Sequence, residues 1–351
     1  RYNDFKALGW LLFSDISYKS GYTVQDVKIR SGQLNIAPRY IDMVDFDIAV
    51  GESQMTVGGK LQNYIAHYLS DEVLLGELEL SSGYLDLNEI LEQAPADATT
   101  EVENEAETPE PAKNAYVVPG NLDFDIGMNV DTLLYDKMVL KNVAGSVQIR
   151  DRKLIMDDLS ADLWKGRISF SGSYDTWDPE RPLVDLSLNL DGMLIPEVAL
   201  GMSVLSHYVP FAEKLGGEMS GNLTLTSLLD TEMEPILSSL TGQGRLNTSS
   251  LNVSGINTLD MLASSLNMDK LKSFGTNPVQ LAFNIVEGMI NVKPFDMNIA
   301  GYKTSMSGWT NLDQEINYNM VMSIPADELP GSMVDDFTKQ AASAGIPLNL
   351  G

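Results

Sequence analysis

The chain has 351 residues, 44% of them apolar, with 49 acidic against 23 basic side chains, a formal charge of −26 and no cysteine. That balance excludes a nucleic-acid binder, which needs a basic stripe against phosphate, and a protein held by charge on anionic membranes. Disulfides, thiolate catalysis and cysteine-based zinc sites are excluded as well, and no apolar run reaches the roughly 18–20 residues of a membrane-spanning helix.

Residues 1–92 read as a β-rich part. The chain begins at RYNDF without methionine or a signal-peptide pattern, so it is expected to be an excised or processed piece whose membrane anchor lies outside it. Within this part, DFDIAVGESQMTVGGKL at 45–61 is the first of three similar phrases. The others are DLSADLWKGRISFSGSY at 158–174 and PFDMNIAGYKTSMSGWT at 294–310. Each alternates apolar and polar residues, meets a first glycine (Gly51, Gly166, Gly301), alternates again and meets a second (Gly58, Gly172, Gly308). The first glycine is expected to let the chain turn or bulge, and the second to allow a bend where a side chain would crowd.

Residues 93–115 carry six acids, one lysine and three prolines. They cannot bury enough surface to offset the entropy of ordering, and are expected to be an acidic disordered linker or loop. From 116 to 351 period-two alternation dominates. Leu122, Phe124, Ile126, Met128 and Val130 share one face against polar neighbours, as do Val184, Leu186, Leu188 and Leu190, then Leu223 and Leu225. Tyr318, Met320, Met322 and Ile324 repeat the pattern near the end. These are half-buried strands with one apolar and one wet face. Short helices are expected near 196–208, 231–240, 257–272 and 326–343, the third behind a cap at Asn257-Thr258.

About twenty amphipathic strands spaced by about 4.8 Å would make a sheet on the order of 90 Å wide. Such a sheet must fold into a sandwich, close as a barrel, or curl into a trough whose apolar inside meets a greasy ligand. The few helices cannot cover it.

No catalytic pattern emerges. His67 and His207 have no partner at metal-ligand spacing, and no Gly-rich phosphate loop, nucleophile elbow or calcium loop is present. Carboxylate pairs (Asp157-Asp158, Asp335-Asp336, Asp45 with Asp47) arise by chance among so many acids. No enzyme, cofactor or metal is expected. The 17 methionines, several on apolar faces (Met128, Met138, Met297, Met306, Met320, Met322), suit core filling or a mobile acyl ligand.

An ordered set of features resembles a known family. In 210–255 these are G-x-L-x-L-x-x-x-L followed by L-x-G-x-G-x-L. An apolar helix comes next, and 275–325 then runs through an apolar strand pair with G-φ-φ-x-V into the double-glycine phrase. Together they resemble the C-terminal region of AsmA-like proteins, and 122–174 resembles the preceding AsmA-like unit. The likeness covers most of 116–330 and, more weakly, 1–92.

The resemblance implies a long, strongly curved antiparallel sheet, an open groove with a few short helices, related to bridge-like lipid-transfer proteins. It implies a periplasmic, inner-membrane-attached, non-enzymatic protein of Gram-negative bacteria that supports outer-membrane assembly and shields or transfers phospholipid between the membranes. The expected partners are phospholipid acyl chains, with envelope-assembly proteins second. A scaffold or regulator without lipid transport, and a carbohydrate-binding β-protein, stand as alternatives. The four tryptophans (Trp10, Trp164, Trp177, Trp309) are scattered rather than grouped as a sugar platform.

Overall fold

A computed structural model describes residues 8–19, 25–91, 116–201, 212–313 and 315–325. The acidic segment 93–115, the helix expected at 326–343 and the part of the 196–208 helix beyond 201 lie outside the described residues, as do His207 and Asp335-Asp336.

The chain is mainly strand. It starts with β1 (Gly9–Lys19), β2 (Asp26–Ala37), β3 (Tyr40–Val50), β4 (Ser53–Gln62), a helix α1 (Tyr64–Ser70), β5 (Leu74–Asp86) and a single-turn helix α2 (Leu87–Leu91). After the acidic segment come β6 (Leu122–Tyr135), β7 (Met138–Arg150), β8 (Lys153–Leu163), β9 (Gly166–Asp175), β10 (Leu183–Leu194) and α3 (Ile195–Gly201). Then follow β11 (Leu215–Gly216), β12 (Glu218–Leu228), β13 (Thr241–Thr248), β14 (Asn252–Ser254) and α4 (Asn257–Leu266). The last elements are β15 (Ser273–Gly275), β16 (Val279–Val286), β17 (Met289–Ile299), β18 (Tyr302–Thr310) and β19 (Ile316–Met322).

Sixteen strands form one open sheet in chain order from β1 to β19, leaving out β11, β14 and β15, which make a small sheet of their own. Short turns make consecutive strands antiparallel. Left-handed pairs such as Asp151-Arg152, Trp164-Lys165 and Glu287-Gly288 supply the positive φ that tight hairpins require. The expectation of a purely antiparallel sheet is corrected at one place. β6 lies parallel to β5, Leu74 pairing with Leu122 and Leu78 with Ile126, because the chain leaves one end of the sheet after α2 and re-enters at the other.

The helix expected at 231–240 is also absent. Asp230 accepts the backbone amides of Glu232 and Glu234 at 2.8 and 2.9 Å, Met233 takes a positive φ, and Pro235 has no amide to give. Only the 3₁₀ turn Leu237–Ser239 remains. At 257–272 the helix is shorter: α4 stops at Asn267, a left-handed cap whose amide reaches the Ala263 and Ser264 carbonyls, and a 3₁₀ turn covers Asp269–Leu271. α1 and α2 are additional to the sequence-based expectation.

Two compact units divide the chain elsewhere than at the acidic segment. One comprises Arg1–Leu163, Ser169–Leu186 and Leu228–Ile236, the other Trp164–Ile168, Ser187–Ser227 and Leu237–Gly351. In the first, the buried side chains include Phe46, Val50, Leu85, Val130, Leu133, Val143, Leu159 and Ala161. A smaller packed group, Val118, Tyr174 and Leu229, closes over Ile149, Leu154 and Val184. In the second unit Ala263 of α4, with Met268 and Leu271 just after it, packs on Val279, Met297, Ile299 and Tyr302.

The three repeated phrases are one structural device. Each opens on a β-bulge: at Asp45 (φ 46°), where β3 gains a residue between Met43 and Phe46; at Asp158 (φ 48°) in β8; and between Val292 and Phe295 in β17. Aspartate suits the left-handed bulge, and the Asp158 amide is satisfied by the Ser171 hydroxyl at 3.2 Å. The turn follows, with left-handed residues at Gly51, at Trp164 and Lys165, and at Ala300 and Gly301. Two of the six glycines assigned from sequence are therefore misplaced. Gly166 is not the turn residue but the first residue of β9, since Trp164 and Lys165 turn the chain. Gly58 has room for a Cβ, 3.6 Å from the Met43 carbonyl oxygen, whereas its neighbour Gly59 has none.

Gly59, Gly172 and Gly308 each lie fourteen residues after the bulge positions Asp45, Asp158 and Pro294. A Cβ at any of them would run into the next strand's backbone, at the Glu77, Asp185 or Asn317 carbonyl. The apolar residue after that carbonyl, Leu78, Leu186 or Tyr318, lies against the glycine.

Candidate functional site

Cross-strand partners in a sheet share a face. Following the pairing in the first unit, Leu11, Leu34, Met43, Gly59, Leu78, Ile126, Val147 and Met156 form one apolar row across eight strands. Ile36, Ile41, Leu61, Gly76, Phe124, Ile149 and Leu154 form the next. In the second unit a row runs Leu223, Gly244, Phe283, Val292, Gly308 and Tyr318. Beside it lie Phe295, Met306 and Met320, then Met297, Thr304 and Met322. Glycines recur in these rows next to the largest side chains. A Cβ on Gly76 would strike the Phe124 ring, and one on Gly244 the Phe283 ring, so each ring lies flat across its neighbour's backbone.

Most of these row residues are neither buried nor exposed. Leu34, Met43, Leu78, Phe124, Ile126, Met128 and Met156 are half-buried, as are Val184, Leu186, Leu188 and Leu190 of β10. The inner face of a two-layer sandwich would be packed to interior density. Here burial is uneven even within a row: Val147 is buried between half-buried Ile126 and Met156. Among the residues expected to face lipid, Val130 is 0% exposed. Leu122, Leu223, Leu225, Met320, Met322 and Ile324 are half-buried, and Tyr318 is exposed at the edge strand. Sequence reading missed their row-mates on β2 to β5, such as Leu34, Met43 and Leu78, although the same alternation was there to be read.

The opposite face is polar and laced with ion pairs. Arg150 holds Asp123 at 2.6 Å and Asp125 at 3.7 Å, Lys60 lies 3.8 Å from Asp42, and Arg30 lies 3.9 Å from Asp47. A depression of about 720 Å³ on this face is lined by Asp42, Lys60, Glu77, Glu79, Asp125 and Ser146, among others. Among the described residues no three His, Cys, Asp or Glu side chains converge as a metal site. His67 is half-buried in the middle of α1, its Nδ1 2.7 Å from the Glu72 carbonyl oxygen.

The resolved pKa shifts all lead away from neutrality. The Lys153 ammonium, 2.8 Å away, holds Asp175 below the usual carboxylate range, and Lys272 does the same for Asp269. Burial pushes Tyr174 up to about 12. Its hydroxyl donates to the Tyr116 carbonyl at 2.8 Å and lies 3.3 Å from the Met233 sulfur. Because the folded chain holds this phenol neutral, its contribution to stability is complete below the unfolded pKa of 10.0 and is lost as pH rises towards about 12. Alkaline melts should therefore show a falling midpoint across that window, and Tyr174→Phe should flatten it. An unchanged slope in the variant counts against this assignment.

Compared with known protein families, curated proteins and solved structures, the chain matches none.

Proposed function

We propose that the protein is a non-enzymatic lipid carrier whose apolar sheet face forms a curved open groove sheltering phospholipid acyl chains. The observation that carries this reading is the half-buried state of most residues in the apolar rows. Eight strands at about 4.8 Å spacing give a row roughly 34 Å long in the first unit alone, ample for an acyl chain. Each methylene kept from water is worth about 0.8 kcal/mol, so a continuous apolar track lowers the barrier to moving a lipid through an aqueous space. With the AsmA-like sequence features, this supports a periplasmic protein attached to the inner membrane by a segment outside this chain, and working in outer-membrane assembly.

The direct test is to purify the protein from membranes and identify co-purifying lipid by mass spectrometry, with a photoreactive residue at position 188. Bound phospholipid and a crosslink to its acyl chain are expected. Lipid-free protein with no crosslink would overturn the proposal. One observation favours a second reading, docking through a sheet edge. The outer strand β1 exposes Trp10, Leu11 and Leu12, from 51% to 66%, along an open backbone edge. On that reading the same purification yields a protein partner instead of lipid.

A further inference from the structure

The apolar face of the first unit ends, at β7 to β10, under the packed group Val118, Tyr174 and Leu229. Just past that closure the surface changes character. Trp177 is 72% exposed, and Tyr116, Val117 and Leu183 are also exposed. The Arg152 guanidinium sits 5.3 Å from the centre of the Trp177 ring, and its side chain crosses over Gly120, where a Cβ would crowd it. The Thr176 amide donates to the Arg152 carbonyl at 3.0 Å, and this bond ties the β7–β8 turn to the loop after β9. Arg181 lies on the same loop.

Among the described residues neither Arg152 nor Arg181 forms an ion pair, whereas Lys153 is engaged by Asp175. Two acids, Asp178 and Glu180, precede Arg181 on the loop, and the Asp178 carboxylate accepts the Glu180 amide at 3.2 Å. An exposed indole beside a guanidinium, at the margin of an apolar face, is the combination that settles at the boundary between acyl chain and headgroup. The planar guanidinium fork matches a phosphate.

We infer that this rim holds a zwitterionic phosphate-diester headgroup, with Arg152 and Arg181 on the phosphate, Asp178 and Glu180 towards the ammonium, and Trp177 against the glycerol end of the chains. The inference rests on the lipid-carrier reading and adds the headgroup class to it. The acids disfavour a headgroup with a net negative charge, so phosphatidylethanolamine is preferred to phosphatidylglycerol.

The test measures binding to the full chain of phosphatidylethanolamine, phosphatidylglycerol and a diacylglycerol with the same acyl chains, with inorganic phosphate as competitor. In wild type, phosphatidylethanolamine should bind best. The double variant Arg152→Gln/Arg181→Gln should weaken phosphatidylethanolamine binding roughly tenfold and leave diacylglycerol binding and the melting midpoint unchanged. Arg152→Lys/Arg181→Lys should restore part of the loss. An unaltered ratio of phosphatidylethanolamine to diacylglycerol binding in the Gln variant overturns the headgroup site while leaving the carrier reading intact. Displacement by inorganic phosphate assigns the arginines to a free phosphate and overturns the lipid assignment. Failure of wild type to bind either diacylglycerol or phosphatidylethanolamine overturns the carrier reading and the headgroup site with it.

Discussion

Gly59→Ala should destabilise the protein by about 3 kcal/mol, while Gly58→Ala, one residue away, should leave stability within about 0.5 kcal/mol or raise it slightly. The two glycines look equivalent in the sequence and differ only in what surrounds them. At Gly59 the backbone has φ 138°, a conformation an alanine rarely adopts, and the added Cβ would enter the Glu77 carbonyl and the Leu78 Cα on the neighbouring strand. Both obstacles are backbone, so relief requires β4 and β5 to separate. At Gly58 the nearest atom is 3.6 Å away, an ordinary contact, and alanine restricts the unfolded chain more than glycine does.

For a unit of this size the Gly59 loss corresponds to a fall of roughly 6–12 °C in melting midpoint. Gly172→Ala and Gly308→Ala isolate the steric part, because neither glycine has a left-handed φ and each faces the equivalent carbonyl. Equal midpoints for the 58 and 59 variants would refute the close-approach argument.

That contrast marks how far the sequence could be read. The alternation in 122–130 and 184–190 placed β6 and β10 and assigned each residue to its face, because nothing interrupts period two there. Reading across strands was harder. The left-handed bulges at Asp45, Asn142 and Asp158 insert one residue and shift the phase, so the face that Met43 occupies passes to Phe46 and not to Asp45. Each of these three bulges is written as a single aspartate or asparagine, and such residues also serve turns and solvent.

The misplaced Gly58 has the same origin. Counting from the first glycine gives six or seven residues, while counting from the bulge gives fourteen in all three copies. The parallel step from β5 to β6 was illegible for another reason. Pairing across an intervening acidic segment is set by where the chain re-enters the sheet, and local pattern carries no record of that. The false helix at 231–240 fails further along: Asp230 accepts the Glu232 and Glu234 amides, but Met233 takes a positive φ and Pro235 has no amide, so the chain turns instead of continuing as a helix.

Within the candidate site, the apolar residues were legible, but their degree of cover was not. Alternation reports which way a side chain points and is silent on whether another layer lies above it. Val130 and Ile126 share one face of β6 and obey the same pattern, yet one is sealed and the other half open. On the lipid-carrier proposal that difference separates a structural position from a lipid-facing one, and it sets the last prediction.

Ile126→Asp and Leu188→Asp, one in each unit, should leave the protein folded and remove most of its bound phospholipid. Both wild-type side chains are half-buried, so a carboxylate there keeps access to water in the empty protein and costs about 1–2 kcal/mol of stability. An acyl chain laid across the row would strip that water away. Desolvating an unpaired carboxylate costs at least several kcal/mol, and each 1.4 kcal/mol is about tenfold in affinity, so lipid affinity should fall by about a hundredfold or more.

Two controls bracket the result. Asn129→Asp puts the same charge on the polar face of β6 and should retain lipid, whereas Val130→Asp buries it and should unfold the first unit. Native mass spectrometry of the purified variants, read beside their melting midpoints, gives occupancy and folding together. Full lipid occupancy in a folded Ile126→Asp protein would mean that the chains lie elsewhere. The half-open rows would then serve packing against a protein partner, because burying a new carboxylate under lipid cannot be free.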